Sequence, residues 1–486
     1  MSVNSTVHLS LRGETHATAS VAFPPSAERG RVPSGCRLAF LYPAFPVLHQ
    51  TFVLWEMLAL ERLGLDLQLF SIKRPAQGEQ QPEARNLIGR VRYLPSLRSP
   101  AVWQAQARQL RENRSRYRQA VQSLLREWYK DRRLPVLQER ARKDDPPFPL
   151  TWQARVEAAM NTSASVYLLR SLAMLPLAAY LGEQLGRQGI RRVHAHWATF
   201  ATTLALCLKW MYGTRFSFTA HAYDLYLMPM LLPVKLREAD LVVTCARANE
   251  QFLRQLPGGG DARVVVNYHG VDLGRFRPRP KPHGLGDEPR LVSCGTLRIY
   301  KGHHVLLAAV AKMRHRARCI IVGEGPQRRV LERLANQLGI RDRVEFAGAL
   351  PQEEAASRYA EADVFVLAST IVERAGRQDV IPNVLVEAMA MQLPVVSTTL
   401  PGIRELIEDG VHGRLVPPND PDRLAAVLDE LLDNPQERAR LAAAGRDRVV
   451  ERFDRERNVR ELACLLATLP QSGEGVRGIL PPNPGS

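Results

Sequence analysis

Short apolar runs that alternate with helical patterns begin at residue 37. Arg37–Tyr42 is a mostly apolar run that predicts a buried strand, and Asp66–Ile72 predicts a second one. Thr51–Leu63, between them, has the periodicity of an amphipathic helix. The side chains that this periodicity places toward the core are Phe52, Trp55, Leu58 and Leu63. The order strand, helix, strand predicts the start of a parallel sheet.

Histidines close two of the strands that follow in the first half of the chain. The predicted strands are Arg191–His196, Arg215–His221, Asp240–Cys245 and Val264–Val266. In open parallel sheets ligands bind beyond the carboxyl ends of the strands, so the histidines are expected near a cleft. Taken alone, a strand-end histidine favours a structural, hydrogen-bonded role, which we expect for His194 and His196.

The second half of the chain alternates strictly between strands and helices. Its predicted strands are Leu291–Cys294, Arg318–Val322, Arg343–Phe346, Asp363–Ala368, Val395–Ser397 and Arg414–Val416. Such alternation predicts a second doubly wound parallel sheet. Arg277–Pro289, rich in Pro, Gly and charge, is typical of a linker between the two. The sequence thus predicts an α/β protein in which two Rossmann-like domains face each other across a cleft.

The domain boundaries follow from these patterns. They are a disordered tail at 1–34, an N-terminal domain at 35–276, a linker at 277–289, a C-terminal domain at 290–450, a C-terminal helix at 451–470 and a disordered tail at 471–486.

A helical insertion at about 99–188 interrupts the N-terminal domain. It is basic between Arg108 and Lys143, and Trp103, Tyr117, Trp128 and Tyr129 are interleaved with the charges. Three interpretations stay open: helices packed on the domain, a surface for anionic membrane, or a nucleic-acid patch. The first is the ordinary one, because charged runs usually form solvated faces.

The net charge of the chain does not alter the predicted fold, but it indicates which partners the protein attracts. The formal net charge is +17, with 45% hydrophobic residues, as in a globular protein that attracts anions. No RNA- or DNA-binding motif supports nucleic acid as a partner, which leaves a membrane surface or a diphosphate substrate.

The expected location is the cytoplasm. Met1–Ser34 lacks the pattern of a signal peptide, and the apolar stretch Val166–Leu181 is interrupted by Arg170 and Pro176, which favours a buried helix. The six cysteines form no CxxC pair and fit a reducing compartment.

The candidate chemistry is densest in Asp379–Val396. Pro382 and Asn383 predict a helix start, and free amides at a helix N-terminus suit a phosphate. Glu387, one turn further on, could accept hydrogen bonds from ribose hydroxyls. The alternative is an ordinary helix with an exposed Glu.

Asp379-x7-Glu387 resembles the signature of retaining glycosyltransferases of family 4 (group 1), which have the GT-B fold. Asp379 stands where that family usually has Glu. The segment Gly295–Gly302 resembles the family's GRLxxxKG element, with Lys301 matching and Thr296 in the usual Arg position, two residues before Arg298. Gly323-Glu324-Gly325-Pro326 resembles the turn near the nucleotide base.

Motifs in the first half resemble the exopolysaccharide and colanic-acid type members of this family. The loop Phe45–Phe52 is similar to their FPxxSETF loop, with His49 and Gln50 in place of Ser and Glu. His221-Ala222-Tyr223-Asp224 resembles the H-x-x-D element, and Asn267–Asp272 the NGVD turn. The resemblance also implies that the C-terminal helix returns to the N-terminal domain.

The resemblance implies a retaining, hexosyltransferase-type enzyme (EC 2.4) of cell-surface polysaccharide synthesis. Its implied catalytic residues are His221, Asp379 and Lys301, and its implied donor-binding residues are Arg298, Lys301, Gly323, Glu324, Asn383, Val384, Leu385 and Glu387. His49 and Asp224 would lie on the acceptor side. The implied partners are a UDP- or GDP-linked sugar and a glycan or polyprenyl-diphosphate acceptor, with no metal or other cofactor. The net charge and the basic insertion add an anionic membrane surface to the expected partners.

Two alternatives remain. The departures at Thr296, Asp379 and His49–Gln50 would also fit a degenerate homologue that binds a nucleotide sugar or a partner without turnover. The other alternative is another enzyme with two Rossmann-like domains, such as an epimerase or a dehydrogenase. The dehydrogenase is disfavoured because no G-x-G-x-x-G follows the first strand of either domain.

Overall fold

The protein is described from a computed structural model. The structure describes residues 36–46, 51–75, 85–132, 164–226, 229–279, 288–370 and 379–469. The predicted tails at 1–34 and 471–486 lie outside these ranges, as does most of the predicted linker.

The N-terminal domain is built on a seven-stranded parallel sheet. Its strands are β1 (Arg37–Ala44), β2 (Asp66–Lys73), β3 (Arg92–Tyr93), β4 (Arg192–His196), β5 (Arg215–Ala220), β6 (Leu241–Thr244) and β7 (Val264–Val266). Their spatial order is β3-β2-β1-β4-β5-β6-β7, so the winding reverses between β1 and β4. At such a switch point the loops beyond the strands separate and leave a crevice for ligands.

Ten helices accompany this sheet in the part of the domain that the structure describes. They are α1 (Thr51–Arg62), α2 (Arg85–Ile88), α3 (Pro100–Glu112), α4 (Arg114–Asp131), α5 (Ala164–Leu172), α6 (Met174–Arg187), α7 (Phe200–Tyr212), α8 (Ala222–Tyr226), α9 (Leu232–Glu238) and α10 (Arg247–Gln255).

Helix α1 buries a different face from the predicted one. Its fully buried side chains include Val53, Met57 and Leu60, whereas Phe52 and Trp55 are only partly buried. Leu58 and Leu63, also predicted to point inward, are partly buried as well. The prediction was wrong because two apolar stripes run along this helix, and periodicity alone does not tell which one meets the core.

The insertion consists of helices packed on the domain. Helices α3–α6 contribute Val102, Leu124, Tyr167 and Leu177 to the same core as strand residues such as Phe218. Pro176 does not break α6, because it lies in the first turn, where a missing N–H costs no helical hydrogen bond. Ala164–Arg187 is long and apolar enough to cross a membrane, and half of its most apolar window is buried inside the protein.

The C-terminal domain is built on a six-stranded parallel sheet. Its strands are β8 (Arg290–Cys294), β9 (Arg318–Val322), β10 (Val344–Gly348), β11 (Val364–Val366), β12 (Val395–Thr398) and β13 (Arg414–Val416). The spatial order β10-β9-β8-β11-β12-β13 again reverses beside its first strand. The helices are α11 (His303–Lys312), α12 (Arg328–Gln337), α13 (Gln352–Ala360), α14 (Asn383–Ala390), α15 (Pro401–Leu406), α16 (Pro421–Asp433), α17 (Pro435–Arg452) and α18 (Arg455–Ala467).

Helix α18 returns to the N-terminal domain. Its residues Leu462 and Leu466 join the apolar cluster of β1 and α1. The Arg192 guanidinium, on β4, donates hydrogen bonds to the carbonyls of Leu466 and Leu469 at 3.4 and 3.1 Å. The two domains are therefore joined by packed chain as well as by the segment between β7 and β8.

Candidate functional site

Lys301 and Asp379, both predicted to be catalytic, are in direct contact. Lys301 Nζ lies 2.6 Å from Asp379 Oδ1, and the Ser369 hydroxyl donates to Asp379 Oδ2 at 2.6 Å. Burial opposes the charge on Lys301, but the Asp379 carboxylate, together with Tyr300 and Cys294, raises the pKa of the ammonium above its usual value. The site thus holds a charged ammonium beside a carboxylate that is fixed on both oxygens.

Gly302 sets the backbone that presents Lys301. Its φ is +68°, and a Cβ there would lie 1.7 Å from the Ala368 carbonyl oxygen, so only glycine fits. The 3₁₀ turn Ile299–Lys301 therefore sits directly against the loop after β11. That contact brings Lys301 within reach of Ser369 and Asp379.

Glu387 lies on α14, partly buried at the wall of a cleft. The Tyr359 hydroxyl donates to Glu387 Oε2 at 3.3 Å, and the Gln352 amide lies 3.5 Å from Oε1. Burial raises the pKa of Glu387 to about 7, against the effect of these donors. A carboxyl held in this way can accept hydrogen bonds from two neighbouring hydroxyls of a ligand.

The amides at the start of α14 are only partly free. Pro382 is the N-cap and Asn383 the first helical residue, one position later than predicted for the proline. The Leu385 amide donates to the Pro382 carbonyl at 3.0 Å, and the Leu385 side chain is fully buried. The Leu385 amide is thus engaged within the helix, and its predicted role as a phosphate donor stays a prediction, whereas the amides of Asn383 and Val384 precede it at the helix start.

The other predicted donor-binding residues lie in the loops after β8 and β9. Arg298 is exposed at the N-cap of the 3₁₀ turn. Gly323 packs so closely that a Cβ would lie 2.0 Å from the Gly295 carbonyl oxygen. The Glu324 carboxylate is engaged with Arg328 at 2.6 Å, while its carbonyl accepts from the Leu297 amide. Glu324 thus shapes this loop through its backbone.

His221 follows β5 in the N-terminal domain and is buried. Its Nδ1 lies 3.3 Å from Nε2 of His269, and the two rings stack with centroids 5.1 Å apart. Burial, with the neighbouring His269 and His196, lowers the pKa of His221 well below its usual value. The ring is therefore neutral near pH 7, and its buried Nε2 lacks a hydrogen-bond partner among the described residues.

Asp224 is fully buried and holds two loops together. Its carboxylate accepts hydrogen bonds from the amides of Ala198 and His221, the latter at 2.8 Å. Burial raises the pKa of Asp224 to about 7, which these hydrogen bonds oppose. With no exposed surface, Asp224 acts on a ligand only through the position of the His221 loop.

Lys235 ties the same loops to the helical insertion. Its side chain is fully buried and donates to the Ala198 carbonyl at 2.6 Å and to the Tyr167 hydroxyl at 3.1 Å. Burial lowers the pKa of Lys235 to about 7, and Asp224 and Asp131 counteract this. Tyr167 belongs to α5, so the insertion supports the loops around His221 from behind.

His221, Cys245 and His269 could in principle hold a metal ion. Their candidate ligand atoms all lie within 4.8 Å of one another, and imidazole with thiolate suits zinc. Burial raises the pKa of Cys245 to about 12, which opposes the thiolate that such a site needs. We therefore assign no metal to this cluster.

A cleft between the domains brings the two halves of the site together. Phe52, Trp55 and His269 line it from the N-terminal domain, and Asn383 and Glu387 from the C-terminal domain. His221 borders this space through Phe52 and His269, whose rings lie 5.3 and 5.1 Å from its own. The structure thus collects predicted residues from sequence positions more than 150 apart.

Sequence reasoning missed Trp55 and His269. Trp55 was assigned to the core, yet it lines the cleft with the guanidinium groups of Arg275 and Arg455 4.9 and 5.0 Å from its ring. His269 was seen only as part of a turn. Its position three residues after β7 was the only sequence signal, and β7 is separated from β5 by β6 in the sheet.

The remaining predicted histidines have different outcomes. His194 is buried between the Ser217 and Thr219 hydroxyls, at 2.8 and 2.9 Å, and His196 Nε2 lies 2.9 Å from Glu56. These are the structural roles expected from the sequence. His49 lies outside the described residues, so its predicted acceptor-side role stays a prediction.

Comparisons with known proteins agree with this architecture. Residues 277–448 match the family model for glycosyl transferases group 1. WcaL of Salmonella typhimurium, described as a colanic acid biosynthesis glycosyltransferase, is 37% identical over 213 residues, which are 43% of this chain and 52% of WcaL. A GDP-mannose-dependent phosphatidylinositol monomannoside mannosyltransferase of Mycolicibacterium smegmatis is 33% identical over 210 residues, 41% of this chain and 54% of that protein. The matched part of the chain spans about half the length of these curated relatives.

Solved structures match nearly the whole chain. Anabaena HepE in complex with UDP has a TM-score of 0.62 at 17% identity, covering 89% of this chain and 100% of HepE. Sucrose-phosphate synthase from Thermosynechococcus elongatus has a TM-score of 0.60 at 19% identity, covering 88% and 98%.

The two facing domains and these neighbours define the class of the protein: it has the GT-B fold, as predicted. Its C-terminal domain lies within the segment that matches the group 1 glycosyltransferase model. The resemblance to that family and to its colanic-acid type members is thereby confirmed.

Proposed function

We propose that this protein is a glycosyltransferase that moves a sugar from a nucleoside diphosphate to a glycan or lipid-linked acceptor, with retention of the anomeric configuration. The observation that carries this proposal is the Lys301–Asp379–Ser369 unit, which lies in the same domain as Glu387, and Glu387 lines the interdomain cleft. The family match and the polysaccharide-related relatives support the same reaction class.

The chemistry requires that the departing diphosphate be stabilised more strongly in the transition state than in the ground state. In the proposed mechanism Lys301 provides the positive charge, helped by the amides of Asn383 and Val384 at the start of α14. Arg298, exposed in the adjacent loop, is the second cation proposed for the diphosphate. Phosphate oxygens would then share the Lys301 ammonium with Asp379.

The donor's other groups are assigned to the remaining side chains. Glu387 accepts the ribose hydroxyls, and Asp379 accepts hydroxyls of the transferred sugar. His221 lies beside the reacting carbon as a neutral imidazole, since its lowered pKa rules out a cationic role near pH 7. These assignments need no metal ion, because the charge on the leaving group is met by Lys301 and the helix amides.

The reaction balances without a strong general base. The acceptor hydroxyl oxygen forms a bond to the anomeric carbon on the face from which the diphosphate leaves, and the carbon–oxygen bond to the diphosphate breaks. The acceptor's proton passes to the leaving phosphate oxygen. The products are a glycoside with the donor's anomeric configuration and a nucleoside diphosphate.

Relatives and neighbours support a UDP- or GDP-linked donor. HepE was solved with UDP and with UDP-glucose, and the mycobacterial relative is GDP-mannose-dependent. We propose a hexosyl donor from these two classes and an acceptor in exopolysaccharide or cell-surface polysaccharide synthesis.

Release of nucleoside diphosphate from a panel of UDP- and GDP-sugars tests this proposal. Lys301→Ala should lower the rate by about 100-fold or more, because it removes the charge that stabilises the leaving group. Lys312→Ala, which removes an exposed lysine paired with Asp422 on the same domain, is the control and should leave the rate unchanged. Equal rates for the two variants would contradict the assignment of Lys301, and NMR of the product should show the anomer of the donor.

A further inference from the structure

Exposed large apolar side chains are concentrated on the helical insertion and the turn before it. Among the described residues eight such side chains are exposed, and six of them lie between residues 97 and 169. They are Leu97 (37%), Trp103 (51%), Leu110 (38%), Leu125 (41%), Tyr129 (58%) and Leu169 (66%). The other two, Val411 and Val450, belong to the C-terminal domain. A concentration of this kind marks an interaction surface, whereas scattered single residues would not.

Helix geometry groups these side chains in pairs. Trp103 and Leu110 are seven residues apart on α3, and Leu125 and Tyr129 are four apart on α4, so each pair shares a helix face. Leu169 lies on α5, which packs against α4 where the Trp128 indole donates to the Ala164 carbonyl at 2.8 Å. The outward side of α3, α4 and α5, which we call the insertion surface, therefore carries several apolar projections.

The insertion surface is also basic. Between Arg98 and Arg132 the sequence has nine Arg or Lys and three Asp or Glu residues. Two of the three acids, Glu127 and Asp131, are buried, and Glu127 is paired with Arg126, Lys130 and Arg237. Arg126 and Lys130 nevertheless keep 68% and 58% of their side chains exposed. The charge that faces outward is thus almost entirely positive.

This combination selects one kind of occupant. A second copy of the chain on the same surface would bring like charges together, which disfavours a symmetric contact. Trp and Tyr favour the interface between lipid headgroups and water, and Lys and Arg are attracted by anionic headgroups. We propose that the insertion surface docks on an anionic lipid bilayer, with Trp103, Leu110, Leu125, Tyr129 and Leu169 entering the headgroup region. The helices lie on the bilayer and do not cross it, since half of the apolar window of Ala164–Arg187 is buried in the protein.

The proposed location is therefore the cytoplasmic face of a membrane with anionic lipid, where a lipid-linked acceptor would also be found. This part rests on the proposed function, whereas binding of lipid by the insertion surface does not. The two can be tested apart, because none of these apolar side chains lines the cleft.

Sedimentation with vesicles tests the proposal on the full chain. The protein should bind phosphatidylcholine vesicles that contain phosphatidylglycerol. Its affinity for vesicles of phosphatidylcholine alone should be lower by about tenfold or more. The variant Trp103→Ser/Leu110→Ser/Leu125→Ser/Tyr129→Ser should lose binding by about tenfold or more. The control Val411→Ser/Val450→Ser, which removes the other two exposed apolar residues, should bind like the parent.

Three results would overturn the proposal: no binding to either vesicle, equal loss in the variant and the control, or a parent dimer that the same substitutions convert to a monomer. The thermal shift caused by UDP or GDP serves as the second readout. This shift should be the same in the parent and in the fourfold Ser variant. If no protein binds a nucleotide, the proposed function is rejected, but the proposal that the insertion surface binds lipid is not.

Discussion

Glu387 is a partly buried carboxyl that destabilises the folded protein when it ionises and that is placed to bind a ligand. Its carboxyl is enclosed by Tyr359 and Gln352, and burial raises its pKa to about 7 from a usual value near 4.5. Ligand-free protein therefore keeps a proton on Glu387 at a pH where the unfolded chain has released it. A ribose would supply the hydrogen-bond donors that the ionised carboxylate lacks.

This arrangement predicts a pH-dependent stability difference between the wild type and Glu387→Gln. Between about pH 4.5 and 7 the native carboxyl binds more protons than the unfolded one, so ionisation of Glu387 lowers the wild-type free energy of unfolding as the pH rises. Relative to Gln, which does not titrate, the wild type should lose about 2–3 kcal/mol between pH 5 and 8.

Denaturant unfolding of both ligand-free proteins at pH 5 and pH 8 measures this difference. A constant gap between the two proteins across that range would mean that Glu387 ionises normally. It would remove the reason to treat this carboxyl as held ready for a ligand.

The cleft-facing residues that the sequence analysis misplaced are Phe52, Trp55 and His269, and they show where prediction for single residues ends. Phe52 and Trp55 are apolar like core side chains. Periodicity shows which side chains share a face of the helix, but it does not show whether that face contacts the core or lines a cleft. His269 becomes informative only when its ring is seen beside His221, because the two residues are 48 positions apart in the sequence. In contrast, short motifs in the sequence contain Lys301, Asp379 and Glu387. Lys301 belongs to Gly295–Gly302, and the two carboxylates belong to Asp379-x7-Glu387.

At the scale of elements, the strands were predicted well because buried parallel strands are short apolar runs bounded by turn residues. Arg318–Val322, Val264–Val266 and Arg414–Val416 have the predicted bounds. The start of α14 was off by one residue, and with it the number of free amides, since cap geometry depends on local dihedral angles that composition does not reveal.

Gly302, in the turn from the 3₁₀ segment into α11, has a matched control in Gly339, which follows α12. Gly302 and Gly339 have the same φ of +68°, but a Cβ on Gly302 would lie 1.7 Å from the Ala368 carbonyl oxygen, whereas Gly339 has open space. Gly339→Ala should cost about 1 kcal/mol of stability, from the left-handed backbone alone.

Gly302→Ala should cost about 3 kcal/mol or more, because the loop after β11 must move away. The same displacement should separate Lys301 from Asp379 and lower turnover, while Gly339→Ala keeps the parent rate. Equal destabilisation of the two variants, measured by denaturant unfolding, would show that the contact between these loops is not required.

At the scale of the whole molecule, the return of α18 and the insertion behind His221 connect the two domains and the site. The alternation of strand and helix patterns predicted two Rossmann-like domains and a cleft, because each half of the chain contains its own series of alternating strands and helices. The packing of Tyr167, on the insertion, against Lys235 was not predictable in the same way, since a buried lysine looks like a surface lysine in the sequence.

In the proposed function the C-terminal domain binds a nucleoside diphosphate through Glu387 and the neighbouring cations. Thermal unfolding in the presence of UDP, GDP and ADP tests it on the wild type, on Glu387→Ala and on the control Glu353→Ala, an exposed carboxylate on α13. One nucleotide should raise the melting temperature by about 2–4 °C at saturating concentration in the wild type and the control, and should fail to do so in Glu387→Ala. No shift with any nucleotide, or an equal shift in all three proteins, would contradict the assigned donor site.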